Sequence, residues 1–203
     1  EDPTDTLVRK PGLTMDGLRA DEGAGYKLGT NSVRRAAFLK ELFPKVEVIH
    51  FRGAADTRIH KLDKSIPQQL VDGGEVGPAD GILLATSGMA RVGVADRASH
   101  TFPVTEMLPA VGQGIGAVEG SEQDWQTRED LARIDDADAR ACAEAEREVL
   151  WVLDGHCNSP IAAHATIEGD TMTMHAAVMT LDGATILRHE ESAVAHYPRE
   201  LGR

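Results

Sequence analysis

The 203-residue chain contains no apolar run of the roughly 18 residues that a membrane-spanning helix requires. It has only two cysteines, and residues 1–5 show neither a basic start nor an apolar signal core. These absences exclude a membrane-spanning protein and a disulfide-stabilised secreted scaffold, and they indicate a reducing, cytoplasmic location. The sequence does not begin with methionine, which suggests a fragment or a processed piece.

A Gly-Lys-Ser/Thr phosphate loop is also absent, and the glycines of residues 109–119 lack the spacing of a dinucleotide-binding turn. The formal net charge is −12. Because an acidic surface repels phosphate, general nucleic-acid binding is excluded. A site for an anionic ligand would therefore require a local cluster of cationic side chains.

The first part of the chain alternates between short apolar runs and helical patterns, as α/β domains do. Residues 46–51 and 81–86 are predicted strands, each followed by a helix. Residues 109–119 are predicted to form a further strand, entered through a close backbone approach. Residues 1–28 are predicted to be a lead-in without a fold of its own, and residues 67–78 a surface insertion.

Arginines follow three turns of this α/β pattern. They lie in loops or at helix starts, and they are Arg34, Arg35, Arg52, Arg58 and Arg91. Two cations in the first turn of a helix oppose its dipole, so Arg34 and Arg35 need a negative partner. Guanidinium groups converging on one cleft would bind several carboxylates or phosphates in bidentate fashion. The alternative for Arg34 and Arg35 is that they are simply solvated.

Residues 136–153 are a predicted helix with small and apolar residues at four-residue spacing. Gly155 is predicted to end it in the left-handed conformation. Cys157 follows on a short turn, and Pro160 forces an extended exit. A thiol on such a turn can serve as an attachment point, although it can also be a small buried hydrophobic residue.

Three alternating runs follow, at residues 161–167, 171–179 and 184–195, and Gly-containing turns separate them. We therefore predict an α/β fold: a solute-binding-protein-like domain with βα units, then a small α+β domain with a three-stranded antiparallel sheet. The predicted boundaries are 1–120 for the α/β domain with an arginine-lined cleft, 121–145 for a connecting helical segment, and 146–203 for the α+β domain. The open face of the three-stranded sheet needs a covering helix, and the α+β domain is C-terminally short by that criterion.

Five motifs, in the order in which they occur, resemble those of the porphobilinogen deaminase (hydroxymethylbilane synthase) family: residues 29–35 (GTNSVRR), 52–62 (RGAADTRIHKL), 85–93 (ATSGMARVG), 109–114 (PAVGQG) and 153–160 (LDGHCNSP). The resemblance spans essentially the whole chain. It covers the second and third domains of a three-domain enzyme. Three positions depart from the family pattern, namely Ala54, Ala90 and His156.

The resemblance implies a transferase of tetrapyrrole and haem biosynthesis, which deaminates four porphobilinogens and joins them head to tail. It implies a dipyrromethane cofactor attached covalently to Cys157, with porphobilinogen and the growing polypyrrole as ligands, in a monomer. Other residues are implied to hold the acid groups or line the cofactor cleft: Ser32, Arg34, Arg35, Arg52, Arg58, Ala85, Gly88, Arg91 and Gln113.

The catalytic aspartate of the resembled family lies in its first domain, and no part of this chain corresponds to that domain. We therefore expect that this chain alone cannot turn over and that it needs an N-terminal domain, in cis or in trans. One alternative is a non-catalytic, carboxylate-binding module of the solute-binding-protein type. A metal site is disfavoured, because the cysteines and histidines lack paired ligand spacing.

Overall fold

The computed structural model describes residues 1–203. Its strands are β1 (Asp5–Arg9), β2 (Lys27–Gly29), β3 (Glu47–Ile49), β4 (Gln68–Gln69), β5 (Glu75–Val76), β6 (Gly81–Ala85), β7 (His100–Phe102), β8 (Ile161–Glu168), β9 (Thr171–Met179) and β10 (Ile186–Val194). Its helices are α1 (Met15–Ala20), α2 (Val33–Leu42), α3 (Ala55–Asp63), α4 (Thr86–Arg91), α5 (Trp125–Ala132), α6 (Ala137–Val152) and α7 (Pro198–Leu201). None of these helices combines the length and apolar character needed to cross a bilayer.

A five-stranded mixed sheet, in the order β3-β2-β6-β1-β7, forms the centre of the first part of the chain. β2 pairs in parallel with both β3 and β6, whereas β1 is antiparallel to β6 and β7. The three parallel strands are each followed by a helix, so α2, α3 and α4 all begin at the same edge of the sheet. The predicted α/β class of this part of the chain is therefore confirmed.

The prediction that residues 1–28 are only a lead-in is wrong, because this segment supplies β1, α1 and most of β2 to the α/β fold. β1 is hydrogen-bonded on both edges, and Leu7 and Val8 are fully buried in different core clusters. The polar residues Asp5 and Thr6 are buried as well. These two polar residues made the strand hard to predict from the sequence, because their burial depends on partners far along the chain.

Residues 109–119 contain no strand, so the predicted strand there is also wrong. Gly112 and Gly114 have φ angles of 73° and 86°, which belong to turns rather than to extended backbone. A Cβ on Gly114 would lie 2.8 Å from the carbonyl oxygen of Glu1. The expected close backbone approach is therefore present, but it occurs within a turn.

β8, β9 and β10 form an antiparallel meander with β9 in the middle, as predicted. α6 covers one face of this sheet, with Ala145 and Val149 packed in a cluster that includes Ala163 and Met172. The predicted helix at 136–153 is confirmed to within one residue at each end, and α6 continues through the predicted boundary at residue 145.

The left-handed position at the end of α6 is occupied by Asp154, with a φ angle of 49°, and not by Gly155. The N–H groups of Asp154 and Gly155 donate to the carbonyls of Trp151 (3.3 Å) and Leu150 (2.7 Å), which is a Schellman ending. Gly155 is required for space instead, because a Cβ there would lie 2.7 Å from Cδ1 of Ile161. The predicted conformation of Gly155 is therefore wrong, although the helix ends where expected.

The three-stranded sheet also packs directly on α2. Met179 shares one core cluster with Ala37 and Phe38 of that helix. Arg188 on β10 donates to Glu41 at 2.8 Å, and its guanidinium lies 5.6 Å from the ring centre of Phe38. The two parts of the chain therefore share a continuous interior.

Glu146 on α6 links distant backbone segments. Its carboxylate is buried, with the residue 2% exposed, and it accepts hydrogen bonds from the N–H groups of Gly112 (2.6 Å) and Ala165 (2.9 Å). One side chain thus joins the turn after Pro109 to α6 and to β8. A buried carboxylate is tolerated there because hydrogen bonds compensate its lost hydration.

We expect Glu146→Ala to lower the free energy of unfolding by about 2–4 kcal/mol, because two backbone N–H groups lose their acceptor. Glu144→Ala is the matched control, because Glu144 on the same helix pairs only with the exposed Arg199; its loss should cost less than about 1 kcal/mol. Urea unfolding measures both values. Equal losses in the two variants would contradict the assigned role of Glu146.

Candidate functional site

The predicted arginine loops meet at the edge of the sheet where α2, α3 and α4 begin. Ser32 is the N-cap of α2, and its hydroxyl oxygen accepts from the backbone N–H of Arg35 at 3.3 Å. α3 begins at Ala55 without a side-chain cap. In the first turn of α3, the N–H of Thr57 donates to Oδ1 of Asp56 at 2.7 Å, whereas the N–H groups of Ala55 and Asp56 have no side-chain acceptor and can meet an anion at this edge.

Arg34 and Arg35 both bind Asp5, a residue that the sequence analysis did not identify. Asp5 on β1 lies 2.7 Å from Nη1 of Arg34 and 2.7 Å from Nη2 of Arg35. Asp5 is fully buried and Arg34 is only 3% exposed. The negative partner that two cations at a helix start require is therefore supplied from within the chain. That requirement was the only signal in the sequence that could have pointed to Asp5.

Burial alone would raise the pKa of Asp5, but the charges and hydrogen bonds of Arg34 and Arg35 outweigh it, so its pKa lies below the usual value. Asp5 is therefore a carboxylate at neutral pH. Burial also lowers the pKa of Arg34, and Asp5 partly offsets this effect.

Gln113 completes the cluster around Asp5. Its Nε2 donates to the carbonyl of Pro3 (2.6 Å) and to Oδ1 of Asp5 (2.9 Å), and its Oε1 accepts from Nη2 of Arg34 (3.3 Å). The side-chain oxygen and nitrogen of Gln113 are thus both engaged inside the protein. Its neighbour Gly112 is bound to Glu146, so this short segment connects the arginine cluster to α6.

Arg58 lies near Arg35 but has no acidic partner. Burial lowers the pKa of the Arg58 guanidinium, and the charge of Arg35 lowers it further. Its Nε donates to the carbonyl of Gly53 at 2.8 Å. Arg52, at the same turn, is exposed, and its guanidinium forms no hydrogen bond or ion pair. This edge of the sheet therefore carries positive charge that the chain does not neutralise.

The third predicted turn, which joins β6 to α4, is more exposed to solvent than the cluster around Asp5. Arg91 pairs with Glu1 at 2.6 Å, and both side chains are about half exposed. Ala85 is the N-cap of α4, and a Cβ on Gly88 would meet only the Cβ of Ala85, at 3.9 Å. The backbone at Gly88 therefore has room for a closely approaching ligand.

Cys157 is exposed on the turn beyond α6, so the alternative of a small buried hydrophobic residue is wrong. Local hydrogen bonds order this turn: the N–H of His156 donates to Oγ of Ser159 and the N–H of Asn158 donates to Nδ1 of His156, both at 3.1 Å. The other cysteine, Cys142, is partly buried, and burial together with Glu146 raises the pKa of its thiol to about 11. Cys157 is thus the accessible thiol.

The structure thus groups Arg34, Arg35 and Gln113 around Asp5, with Arg58 close to Arg35. Arg91 is engaged by Glu1, and Cys157 lies on a separate element at the end of α6. The sequence did not reveal Asp5 or Glu146 as linking carboxylates, because their partners are distant in sequence.

The lowered pKa of Asp5 predicts a specific acid dependence. Because the folded pKa is below the unfolded value of about 3.9, this contribution is fully present above about pH 4 and is lost as the pH falls through the folded value. We expect Asp5→Asn to lower the free energy of unfolding by about 3 kcal/mol at pH 7, since two guanidiniums lose their counter-charge. The difference from the unsubstituted chain should shrink below pH ~4. Urea unfolding at several pH values measures it, and a difference independent of pH would contradict the argument.

Comparison with known proteins places both parts of the chain in one family. Residues 1–129 match the family model described as "Porphobilinogen deaminase, dipyromethane cofactor binding domain", and residues 140–203 match "Porphobilinogen deaminase, C-terminal domain". Similar curated proteins include the porphobilinogen deaminases of Corynebacterium diphtheriae and Desulforudis audaxviator. The first is 40% identical over 93% of this chain and 59% of the relative, and the second is 36% identical over 100% and 60%.

The porphobilinogen deaminase of Syntrophobacter fumaroxidans is 34% identical over the full chain and 60% of its own length. The chain thus spans about 60% of the length of the curated relatives that it matches. The two family models together cover nearly all of the sequence. The first matches the part that contains the five-stranded sheet, and the second matches the part that contains the three-stranded sheet. The chain belongs to the porphobilinogen deaminase family.

Proposed function

We propose that this chain is the cofactor-carrying part of a hydroxymethylbilane synthase. In this proposal Cys157 holds a dipyrromethane covalently, and the arginines at the sheet edge bind its acetate and propionate groups. The observation that carries the proposal is the unneutralised charge of Arg58 beside Arg35. Burying a guanidinium near another cation is unfavourable, and a bound carboxylate would reverse that cost.

The donors at the edge of the sheet fit a ligand with several carboxylates. Arg52 and Arg58 have no acidic partner within the chain. The hydroxyl of Ser32 accepts from Arg35 and therefore keeps its own proton to donate to a carboxylate. Arg91 can exchange the exposed carboxylate of Glu1 for one from the ligand, and Ala85 and Gly88 leave the backbone open beside it.

We propose a different role for Arg34, Arg35 and Gln113, because they already bind Asp5 and are not free to bind the ligand in the same way as Arg52 and Arg58. Arg34 is buried and bound to Asp5, so it holds α2 and Gln113 in place. Arg35 is only partly buried, and its charge reaches Arg58. We propose that Asp5 orients Arg35 towards the ligand, while Gln113 fixes the segment between the arginine edge and α6.

The proposed attachment is a thioether. The sulfur of Cys157 bonds to the methylene carbon of porphobilinogen as the carbon–nitrogen bond breaks, and ammonia leaves with the thiol proton as ammonium. Once bound, the cofactor would supply the free pyrrole position from which a chain of further pyrroles extends. The exposed, ordered turn presents the thiol to solvent and to its ligand.

We propose that the residues that transfer protons lie in the part of the enzyme that this chain does not contain. Asp5 is unsuited to it, because two arginines keep it ionised. Glu146 is buried and bound to two backbone N–H groups. The proposed partners are porphobilinogen, the growing polypyrrole and an N-terminal domain supplied in cis or in trans.

We also propose the division of the chain into residues 1–120, 121–145 and 146–203, with a solute-binding-protein-like first part. The parallel strands β3, β2 and β6, with ligand loops at one edge, support this likeness. The gap between the two family matches, residues 130–139, contains the turn between α5 and α6 and supports a connecting role there.

Intact-protein mass spectrometry tests the attachment. After incubation with porphobilinogen and the N-terminal domain supplied in trans, the chain should gain the mass of two deaminated porphobilinogen units, and Cys157→Ser should gain none. Cys142→Ser is the matched control and should keep the adduct, because its thiol is partly buried and protonated. We expect no steady release of ammonia from the isolated chain.

Three outcomes would count against this proposal. An adduct that persists in Cys157→Ser would place the attachment elsewhere, and binding without any covalent adduct would favour a simple carboxylate-binding module. Continuous ammonia release by the isolated chain would show that its own residues suffice for the proton transfers.

The charge argument predicts that Arg58→Gln separates ligand binding from stability. In a Cys157→Ser background, where binding is reversible, the dissociation constant for a dipyrromethane bearing acetate and propionate groups should rise about tenfold. The unfolding free energy without ligand should fall by less than about 1 kcal/mol, because repulsion with Arg35 is relieved. Calorimetric titration and urea unfolding provide the two measurements.

Arg128→Gln is the control for Arg58→Gln, because Arg128 is an exposed arginine of α5 without an ion pair. It should leave the dissociation constant unchanged. A similar loss of affinity in both variants would mean that only overall charge matters, which contradicts a specific site at the sheet edge.

A further inference from the structure

The hairpin formed by β4 and β5 reaches the turn that carries Arg52. One residue of this hairpin, Gln68, is only 8% exposed although its side chain is polar. The next residue, Gln69, is exposed, and its side chain donates to Oε2 of Glu75 on the opposite strand at 2.8 Å. The two neighbouring amides of β4 have different surroundings because successive side chains of a strand point to opposite faces.

Gln68 makes three hydrogen bonds, and one of them reaches the backbone of Arg52. Its Oε1 accepts from the N–H of Arg52 at 2.8 Å and from Nζ of Lys61 at 3.1 Å. Its Nε2 donates to the carbonyl of Gln69 at 2.7 Å. A flipped amide would place an N–H group against two donors, so these partners dictate the orientation of the side chain.

Lys61 on α3 holds Arg52 from the other side. Its Nζ donates to the carbonyl of Arg52 at 3.0 Å and lies 5.9 Å from the ring centre of Phe51. The N–H of Phe51 donates to Oδ1 of Asn31 at 3.0 Å. Side chains from three separate segments therefore fix the backbone of this turn, and Gln68 is the one that the hairpin supplies.

Arg52 combines a fixed backbone with a free side chain. Its N–H and carbonyl groups are both bound, whereas its guanidinium forms no hydrogen bond or ion pair and the residue is exposed. A long cationic side chain loses rotamer freedom when it binds a ligand. A backbone that is already fixed adds no further ordering cost, which is the general advantage of preorganisation.

The hairpin is anchored well enough to serve as a support. Val76 on β5 packs against the core cluster that includes Ile59 and Leu62 of α3. At the tip of the hairpin, by contrast, Val71 is 94% exposed. The base of the hairpin is thus part of the packed interior, whereas the tip extends into solvent.

We propose that Gln68 is a positioning residue for Arg52, because it fixes the backbone from which the Arg52 guanidinium reaches an acidic group of the ligand. This inference rests on the proposed function, in which Arg52 binds a carboxylate of the dipyrromethane. Gln68 acts through the backbone of Arg52 rather than by contact with the ligand. The hairpin thereby helps to shape the arginine edge.

A double-mutant cycle in the Cys157→Ser background tests this role. Gln68→Met keeps the length of the side chain but removes the amide that binds the N–H of Arg52. It should raise the dissociation constant for a dipyrromethane bearing acetate and propionate groups about fivefold. Arg52→Gln should raise the constant about tenfold, and adding Gln68→Met to it should cause a further rise of less than about twofold, because coupled residues are not additive. Calorimetric titration measures all four constants.

Gln69→Met is the matched control, because Gln69 is the next residue of β4 and its side chain binds Glu75 rather than Arg52. It should leave the dissociation constant unchanged. Hydrogen exchange provides a measurement without ligand: the Arg52 amide should exchange at least about tenfold faster in Gln68→Met, and at an unchanged rate in Gln69→Met.

Circular dichroism checks that each variant is folded. Should Gln68→Met fail to fold, Gln68→Asn withdraws the acceptor by one methylene group and carries the same expected results.

Three outcomes would overturn the inference. If Gln68→Met weakens binding by the same factor with and without the Arg52 guanidinium, its effect is a general structural one. If Gln68→Met leaves the affinity unchanged while Arg52→Gln lowers it, the inference fails and the proposed function stands. If the Cys157→Ser chain does not bind the dipyrromethane at all, the proposed function fails and the role of Gln68 fails with it.

Discussion

The ion pairs of Asp5 with Arg34 and Arg35 are the interaction on which the rest of the structure depends. A buried carboxylate is costly unless it is paired, and here two guanidiniums surround it at 2.7 Å. One negative charge against two positive charges leaves the cluster cationic. An acidic protein thereby retains local positive charge at one sheet edge, where Arg58 adds to it.

The same cluster connects the arginine edge to the thiol. Gln113 binds Asp5, its neighbour Gly112 binds Glu146, and Glu146 belongs to the helix that ends at the turn carrying Cys157. Each link is a hydrogen bond from a buried or half-buried group, so the links hold the two parts in a fixed relation. Packing of the three-stranded sheet on α2 adds a second, apolar connection.

The sequence predicted those elements whose signals are local. α6 follows from a four-residue periodicity, and the meander of β8, β9 and β10 follows from alternation interrupted by Gly169 and Gly183. β1 could not be predicted in this way, because the burial of Asp5 depends on Arg34 and Arg35, about 30 residues away. The turn at residues 109–119 was missed for a related reason, since Gly114 packs against Glu1 and Pro3 at the start of the chain.

The site shows the same division between local and distant signals. Motifs identified the arginines, but they did not distinguish the arginines that internal carboxylates neutralise from those that remain free. Arg34 is satisfied by Asp5, whereas Arg58 has no acidic partner, and only the folded chain shows this difference. On the proposed function, the arginines that remain free at this edge of the sheet are the ones that bind the acidic substituents.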